Sequence, residues 1–153
     1  MNLFVYSLLF LMIGFWGMEM FSWFIHKYIM HGLLWRIHKT HHTKTNGFFE
    51  LNDVFSLFFG SVAVLLIILG FENLDYRFWI GSGITLYGFT YFVLHDVLIH
   101  RRVRVKSKPA GSYLEAISKA HRDHHKTRER DGSVSFGLLI VPAKYLRRKR
   151  SRI

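Results

Sequence analysis

The stretch "HKYIMHGLLWRIHKTHH", residues 26 to 42, carries five histidines in seventeen residues directly after a long apolar run. Neutral imidazole is a ligand for metal ions, whereas five charged imidazoles side by side would repel one another, so this density points to metal chemistry. All ten histidines of the chain fall into four groups: His26 and His31, then His38, His41 and His42, then His95 and His100, then His121, His124 and His125. The order H-x4-H followed by H-x2-H-H occurs twice, and no histidine stands outside it.

Spacing converts to geometry at about 100° per helical residue. Within each H-x2-H-H the three rings lie on one helical face, so three imidazoles from one turn are expected to converge on a site. In each H-x4-H the two positions differ by about 140° on an ideal α-helix. One ring of each pair must therefore come from beyond a helix end or from a distortion, and Gly32 is suited to ending a helix after His31. Ten imidazoles exceed the four to six ligands of one ion and suit two ions side by side. Nitrogen ligands fit iron, zinc, copper or nickel alike. Asp96 and Asp123 inside the motifs, Asp53 and Glu50 nearby, and Glu19 within the first apolar run are candidates to orient the rings from behind.

These groups hang on three apolar segments, 3–25, 54–71 and 78–94, of which only the first contains a charge, Glu19. As helices they would be about 26 to 35 Å long, close to the ~30 Å hydrocarbon core of a bilayer. The expected fold is thus all-α and integral to a membrane: one domain over 1–153, three transmembrane helices and cytoplasmic His-bearing helices. The first segment is expected to remain as an anchor, because it lacks the basic start and small-residue cleavage site of a signal peptide. "SFGLLIVP", 135–142, is too short to cross at about 12 Å; it is expected to lie in the interface or to re-enter the bilayer. Gly81, Gly83 and Gly88 are expected to permit close helix packing. No single aromatic residue is singled out as a substrate contact.

A net charge of +11 from 21 basic and 10 acidic residues fits a membrane protein whose Lys and Arg collect on the cytoplasmic side, and the 144–153 tail fits contact with anionic lipid, so no nucleic-acid partner is expected. Lys27, Arg36, Lys39 and Lys44 follow the first span and a dense set follows the third, which puts all four His groups on one face. The absence of cysteine excludes disulfides, thiolate haem and Cys-ligated clusters. A site beside hydrocarbon suits oxidation of a lipid C–H bond, which needs O2 and a metal that changes valence. No glycine fingerprint for a nucleotide cofactor occurs, so electrons are expected from a partner protein drawn to Arg101, Arg102, Arg104, Lys106, Lys108 and the basic tail. A bis-His haem electron carrier and a metal-ion transporter are the readings from other classes; the former is told apart by a Soret band, and the latter is disfavoured because its acids and histidines would line the spans.

The four His groups, "FELND", "YFVLHDVLIH", "AHRDHH" and "SFGLL" together resemble the bacterial β-carotene hydroxylases of the fatty acid hydroxylase and sterol desaturase superfamily, from about Glu19 to Leu139. The resemblance implies a non-haem di-iron membrane monooxygenase of the bacterial inner (plasma) membrane, its His clusters on the cytoplasmic face. It implies hydroxylation of carbon 3 of β-ionone rings, β-carotene passing to β-cryptoxanthin and zeaxanthin, with O2 as co-substrate and a ferredoxin-type donor. All ten histidines correspond to the family's iron-binding positions. A carotenoid 4-ketolase and a fatty acyl or sterol hydroxylase are the alternatives within the superfamily.

Overall fold

The computed structural model describes residues 2–43, 47–103, 106 and 110–147. It is helical, with no strand among the described residues. Three helices are long and apolar enough to cross a membrane: Leu3–Leu33, Asp53–Gly70 and Tyr76–Ile99. Large apolar side chains such as Leu57, Leu65, Ile68 and Phe89 are more than half exposed on them, the surface of a helix solvated by hydrocarbon and not by water.

The first and third helices run past the ends expected from hydropathy, and the reason lies in the histidines. Helix α1 (Leu3–Phe24) continues without a break as a π-helical turn, Ile25–Leu33, and α4 (Tyr76–Tyr91) continues as a second, Phe92–Ile99. The hydrogen bonds Leu34 N to Ile29 O and His100 N to His95 O, both 2.8 Å, span five residues. A ladder with that step aligns residues five apart, so the distortion demanded by H-x4-H is a π-turn at each copy. The first π-turn stops at Gly32, whose φ of −108° and ψ of −110° are non-helical.

Between these lie α2 (Trp35–His42) and α3 (Asp53–Gly70); α5 (Ser112–His124) and the short α6 (Ala143–Leu146) follow. Helix α4 packs between α1 and α3. A Cβ added at Gly83 would run into the Leu11 carbonyl, one added at Gly14 into Ile80, and one at Gly81 would stand 2.7 Å from Ala63 O. Gly81 and Gly83 thus let backbones touch, as expected. Gly88 does not: an added Cβ there meets nothing within 4 Å, and the same holds for Gly60 across from it on α3. The two helices are tight where Gly70 meets Phe78 and Gly81 meets Ala63, and they part toward the histidines. Below the spans, Ala116, Ile117 and Ala120 of α5 pack with Met18, Tyr87, Leu138, Leu139 and Val141, so a buried apolar layer seats α5 under α1 and α4.

Candidate metal centre

The structure gathers the ten imidazoles into one knot made of two sets. His26, His31, His38, His42 and His124 form the first, and His41, His100, His121 and His125 the second, with ligand nitrogens in each within 4.8 Å of one another. His95 joins the second set, its Nε2 3.1 Å from His41 Nε2. Two nitrogens each about 2.1 Å from one ion stand at most about 4.2 Å apart, so each set needs only a small contraction to close on an ion.

Each H-x2-H-H is divided between the sets, contrary to the expectation that its three rings share a site. In α2 the rings at i and i+4, His38 and His42, enter the first set, while His41 crosses to the second. In α5 the assignment is reversed: His121 and His125 enter the second set and His124 crosses to the first. Every repeat therefore gives four rings to one set and lends one to the other. The i+3 ring sits about 60° to one side of the i position, enough to face the neighbouring set.

Tautomers follow from what stands behind the rings. His26 Nδ1 faces Phe136 O at 2.8 Å, His31 Nδ1 faces Arg130 O at 2.9 Å, His42 Nδ1 faces Thr127 O at 2.9 Å and His124 Nδ1 faces Val134 O at 2.9 Å. His38 Nδ1 lies 2.7 Å from Asn52 Oδ1, His41 Nδ1 3.0 Å from Glu50 Oε2, and His95 Nδ1 2.9 Å from Asp96 Oδ1. All seven partners are acceptors, so in each ring Nδ1 carries the hydrogen and Nε2 the lone pair. Yet Nε2 meets Nε2 at 3.0 Å for His26 and His38, at 3.2 Å for His31 and His124, and at 3.1 Å for His41 and His95. Lone pairs do not hydrogen-bond to one another. Protonation does not rescue them, because burial pushes His38 and His124 down to about 3 and lowers His41 well below the ordinary value. His125 Nε2 is buried with no hydrogen-bond partner among the described residues. Inward lone pairs, uncharged rings and outward N–H groups held by acceptors are the donor set of a cation site.

The acidic candidates separate. Asp96 touches His95, and Glu50, from the flank of α3, touches His41. Asp53 instead accepts from Arg102 Nη1 at 2.7 Å and from Glu50 N at 2.9 Å, and Asp123 pairs with Lys126 Nζ at 2.6 Å. Glu19 is 1% exposed and its hydrogen bonds go elsewhere than to the imidazoles: its Oε1 accepts from Leu139 N at 2.9 Å and Ile140 N at 2.8 Å, and its Oε2 from the Tyr87 hydroxyl at 2.8 Å. Gly137, where a Cβ would come within 3.0 Å of Glu19 Oε1, lets the chain close over that carboxylate. The 135–142 segment is thus an irregular strap folded against α1, with Leu138, Leu139 and Val141 buried and Ile140 and Pro142 exposed. Asn52 went unnoticed in the sequence; its place in "FELND", between Glu50 and Asp53 at the start of α3, was the available signal.

Glu19 therefore acts on the site at second hand, through a strap whose Phe136 carbonyl holds His26. Replacing it with Leu leaves two buried donors, Leu139 N and the Tyr87 hydroxyl, and the partly buried Ile140 N without that acceptor, at about 1 to 3 kcal/mol for each buried one. Melting in detergent is expected to show a loss on the order of 3 kcal/mol or more, and a variant as stable as wild type would remove the clamp. The cationic patch also changes composition. Arg102 is spent on carboxylates, Arg101 and Lys106 are exposed, and Arg104, Lys108 and residues 148–153 of the tail lie outside the described residues, as does Lys44.

A cavity of about 400 Å³ leads from the rings into the space where α3 and α4 part. His26, His38, His41, His95 and His121 floor it; Met18, Phe55, Phe59 and Ile84 wall it. Ser56, Gly60 and Val64 on α3, Thr85 and Gly88 on α4 and Phe92 at the start of the second π-turn line it while remaining exposed, so its mouth opens sideways, toward the lipid-facing surface. Tyr91 stands between floor and wall, its ring stacked on His95 and its hydroxyl 3.1 Å from His95 Nε2.

The model of the fatty acid hydroxylase family matches residues 11–143. The chain belongs to that family. Curated relatives include a protein named beta-carotene hydroxylase from Pantoea ananas, 44% identical over 126 residues (82% of this chain, 72% of the relative). A protein of the same name from Pseudescherichia vulneris is 46% identical over 125 residues (82% and 71%). The chloroplastic beta-carotene 3-hydroxylase of an Oncidium hybrid is 38% identical over 128 residues (81% and 41%). No solved structure matches the chain. Membership of this hydroxylase family makes the protein an oxidoreductase of the oxygenase kind.

Proposed function

We propose that the protein hydroxylates carbon 3 of the β-rings of a carotenoid, turning β-carotene into β-cryptoxanthin and then zeaxanthin. The single observation that carries this reading is the apolar cavity that is floored by imidazoles and open sideways to lipid; the names of the relatives supply the substrate. Two irons held by the ten histidines would activate O2 for attack on a ring C–H bond. One O2, two electrons and two protons then convert C–H to C–OH with release of water. The chain's own residues do the rest. Phe55, Phe59, Met18 and Ile84 exclude water and grip one ring while the polyene stays in lipid. β-Carotene has no polar atom, so shape and depth must select the carbon. Tyr91 sets its hydroxyl beside the floor on the substrate side, 3.1 Å from His95 Nε2. Electrons would come from a ferredoxin-type protein, and the bacterial inner membrane with the histidines facing the cytoplasm is the setting that the charge distribution favours.

Expression in cells that accumulate β-carotene, followed by pigment chromatography, tests the proposal. Cryptoxanthin and zeaxanthin are the expected products; canthaxanthin would move the protein to the ketolases, and unchanged carotene with a loaded site and a working donor would reject it. The cavity itself makes a sharper demand. Gly88→Leu projects a side chain into the open space beside Gly60, and misplacing a substrate by about 1 Å costs on the order of 100-fold in rate. Zeaxanthin formation should fall accordingly with metal content unchanged, while Gly88→Ala should stay near wild type. Full activity in Gly88→Leu would place the ring elsewhere.

A further inference from the structure

The two histidine sets differ in what stands behind them. Behind the first set the acceptor at every Nδ1 is neutral: the main-chain carbonyls of Phe136, Arg130, Thr127 and Val134 and the side-chain oxygen of Asn52. The second set is backed by two carboxylates, Glu50 on His41 and Asp96 on His95. Arg102 ties these acids together. Its Nη2 meets Glu50 Oε2 at 2.9 Å and its Nη1 meets Asp53 Oδ1 at 2.7 Å, while its Nε lies 3.7 Å from Asp96 Oδ1. The oxygens it approaches on Glu50 and Asp96 are the same ones that take the imidazole hydrogens. Its side chain is 13% exposed. The chain delivers it by reversing direction at Arg101, whose φ is +54°, and by a hydrogen bond from Arg102 N to Asp96 O at 2.9 Å.

A carboxylate that accepts Nδ1–H draws the hydrogen toward itself and enriches Nε2 in electron density; a carbonyl does so less. Resting on the two-metal reading above, we propose that the two metal positions are inequivalent and that Arg102 is the positioning residue that makes them so. By fixing Glu50 and Asp96 against His41 and His95, it makes the second set the tighter metal site. A planar guanidinium can serve three carboxylates at once; a lysine ammonium at the same place is a point charge on a flexible stem and cannot.

The test is metal release from the full-length protein in detergent, loaded with iron and challenged with a graded chelator, with iron per chain as the readout. Two irons leaving in two separate phases are expected, the slower belonging to the second set. Arg102→Met and Asp96→Asn should each weaken the slower phase by about 10- to 100-fold, the usual cost of losing a partner behind a ligand, and leave the faster one in place. Arg102→Lys should recover only part of the loss. Asn52→Ala should speed the faster phase alone, and the untouched phase in each variant shows that the fold is intact. Two irons released together from wild type, or a slower phase indifferent to Arg102, would overturn the inference. One iron or none per chain would instead sink the two-metal reading itself.

Discussion

His124→Ala is expected to abolish hydroxylation and to empty the first set while leaving the protein in the membrane. His124 is fully buried, it is the single ring that α5 lends across to the first set, and its Nδ1 is already committed to Val134 O. Losing a group behind a metal ligand costs about 10- to 100-fold in affinity, so losing a ligand should cost more than that. Zeaxanthin yield and iron per chain measure the outcome. His121→Ala should do the same to the second set. Full activity in both variants would take these rings out of the site.

Mild acid should unfold the metal-free protein. Burial holds His42 and His100 down at about 4 and His125 at about 2, with neighbouring rings adding to the effect, against an ordinary value of 6.5. A folded-state value below the unfolded one means that the unfolded chain takes up the proton first. Stability is therefore complete above about pH 6.5 and falls with pH down to the folded value, by about 1.4 kcal/mol per unit for each ring. Several rings titrating in the unfolded chain together would remove several kcal/mol per unit between about pH 6.5 and 4. Chelator-treated protein melted in detergent at a series of pH values should show a steep drop over that range. The loaded protein should hold out to lower pH, because bound ions keep the lone pairs occupied. A flat profile without metal would contradict the buried, neutral ring set.

The parts of this molecule that could be read from sequence are those fixed by local properties. Three apolar lengths announce three long helices, and imidazole density announces the centre. The 140° mismatch within His26/His31 and His95/His100 demanded either a helix end or a distortion, and the π-turns occur at those two places. What stayed hidden depends on which chains meet. Four ring partners are main-chain carbonyls, which every residue possesses, so no side chain advertises them. Glu19 was conspicuous as an acid in an apolar helix, but its partners stand 68, 120 and 121 residues away in the chain. Arg102 looked like one cation among several at the surface, and only the convergence of Glu50, Asp53 and Asp96 shows otherwise. Gly81 and Gly88 lie two turns apart on one face of α4, alike in sequence, and differ because α3 leans in at one and away at the other.

The stretch after α5 constrains variation in an unusual manner. Between residues 127 and 136 four carbonyls, at Thr127, Arg130, Val134 and Phe136, meet four histidines from three different helices. A backbone carbonyl is the same atom whatever residue bears it, so as far as these four bonds go the stretch is free to drift in composition. Its count is not free: one residue inserted or deleted there would shift the carbonyls against rings anchored elsewhere. Among divergent members of such a lineage, this segment should keep its length long after it has lost its spelling.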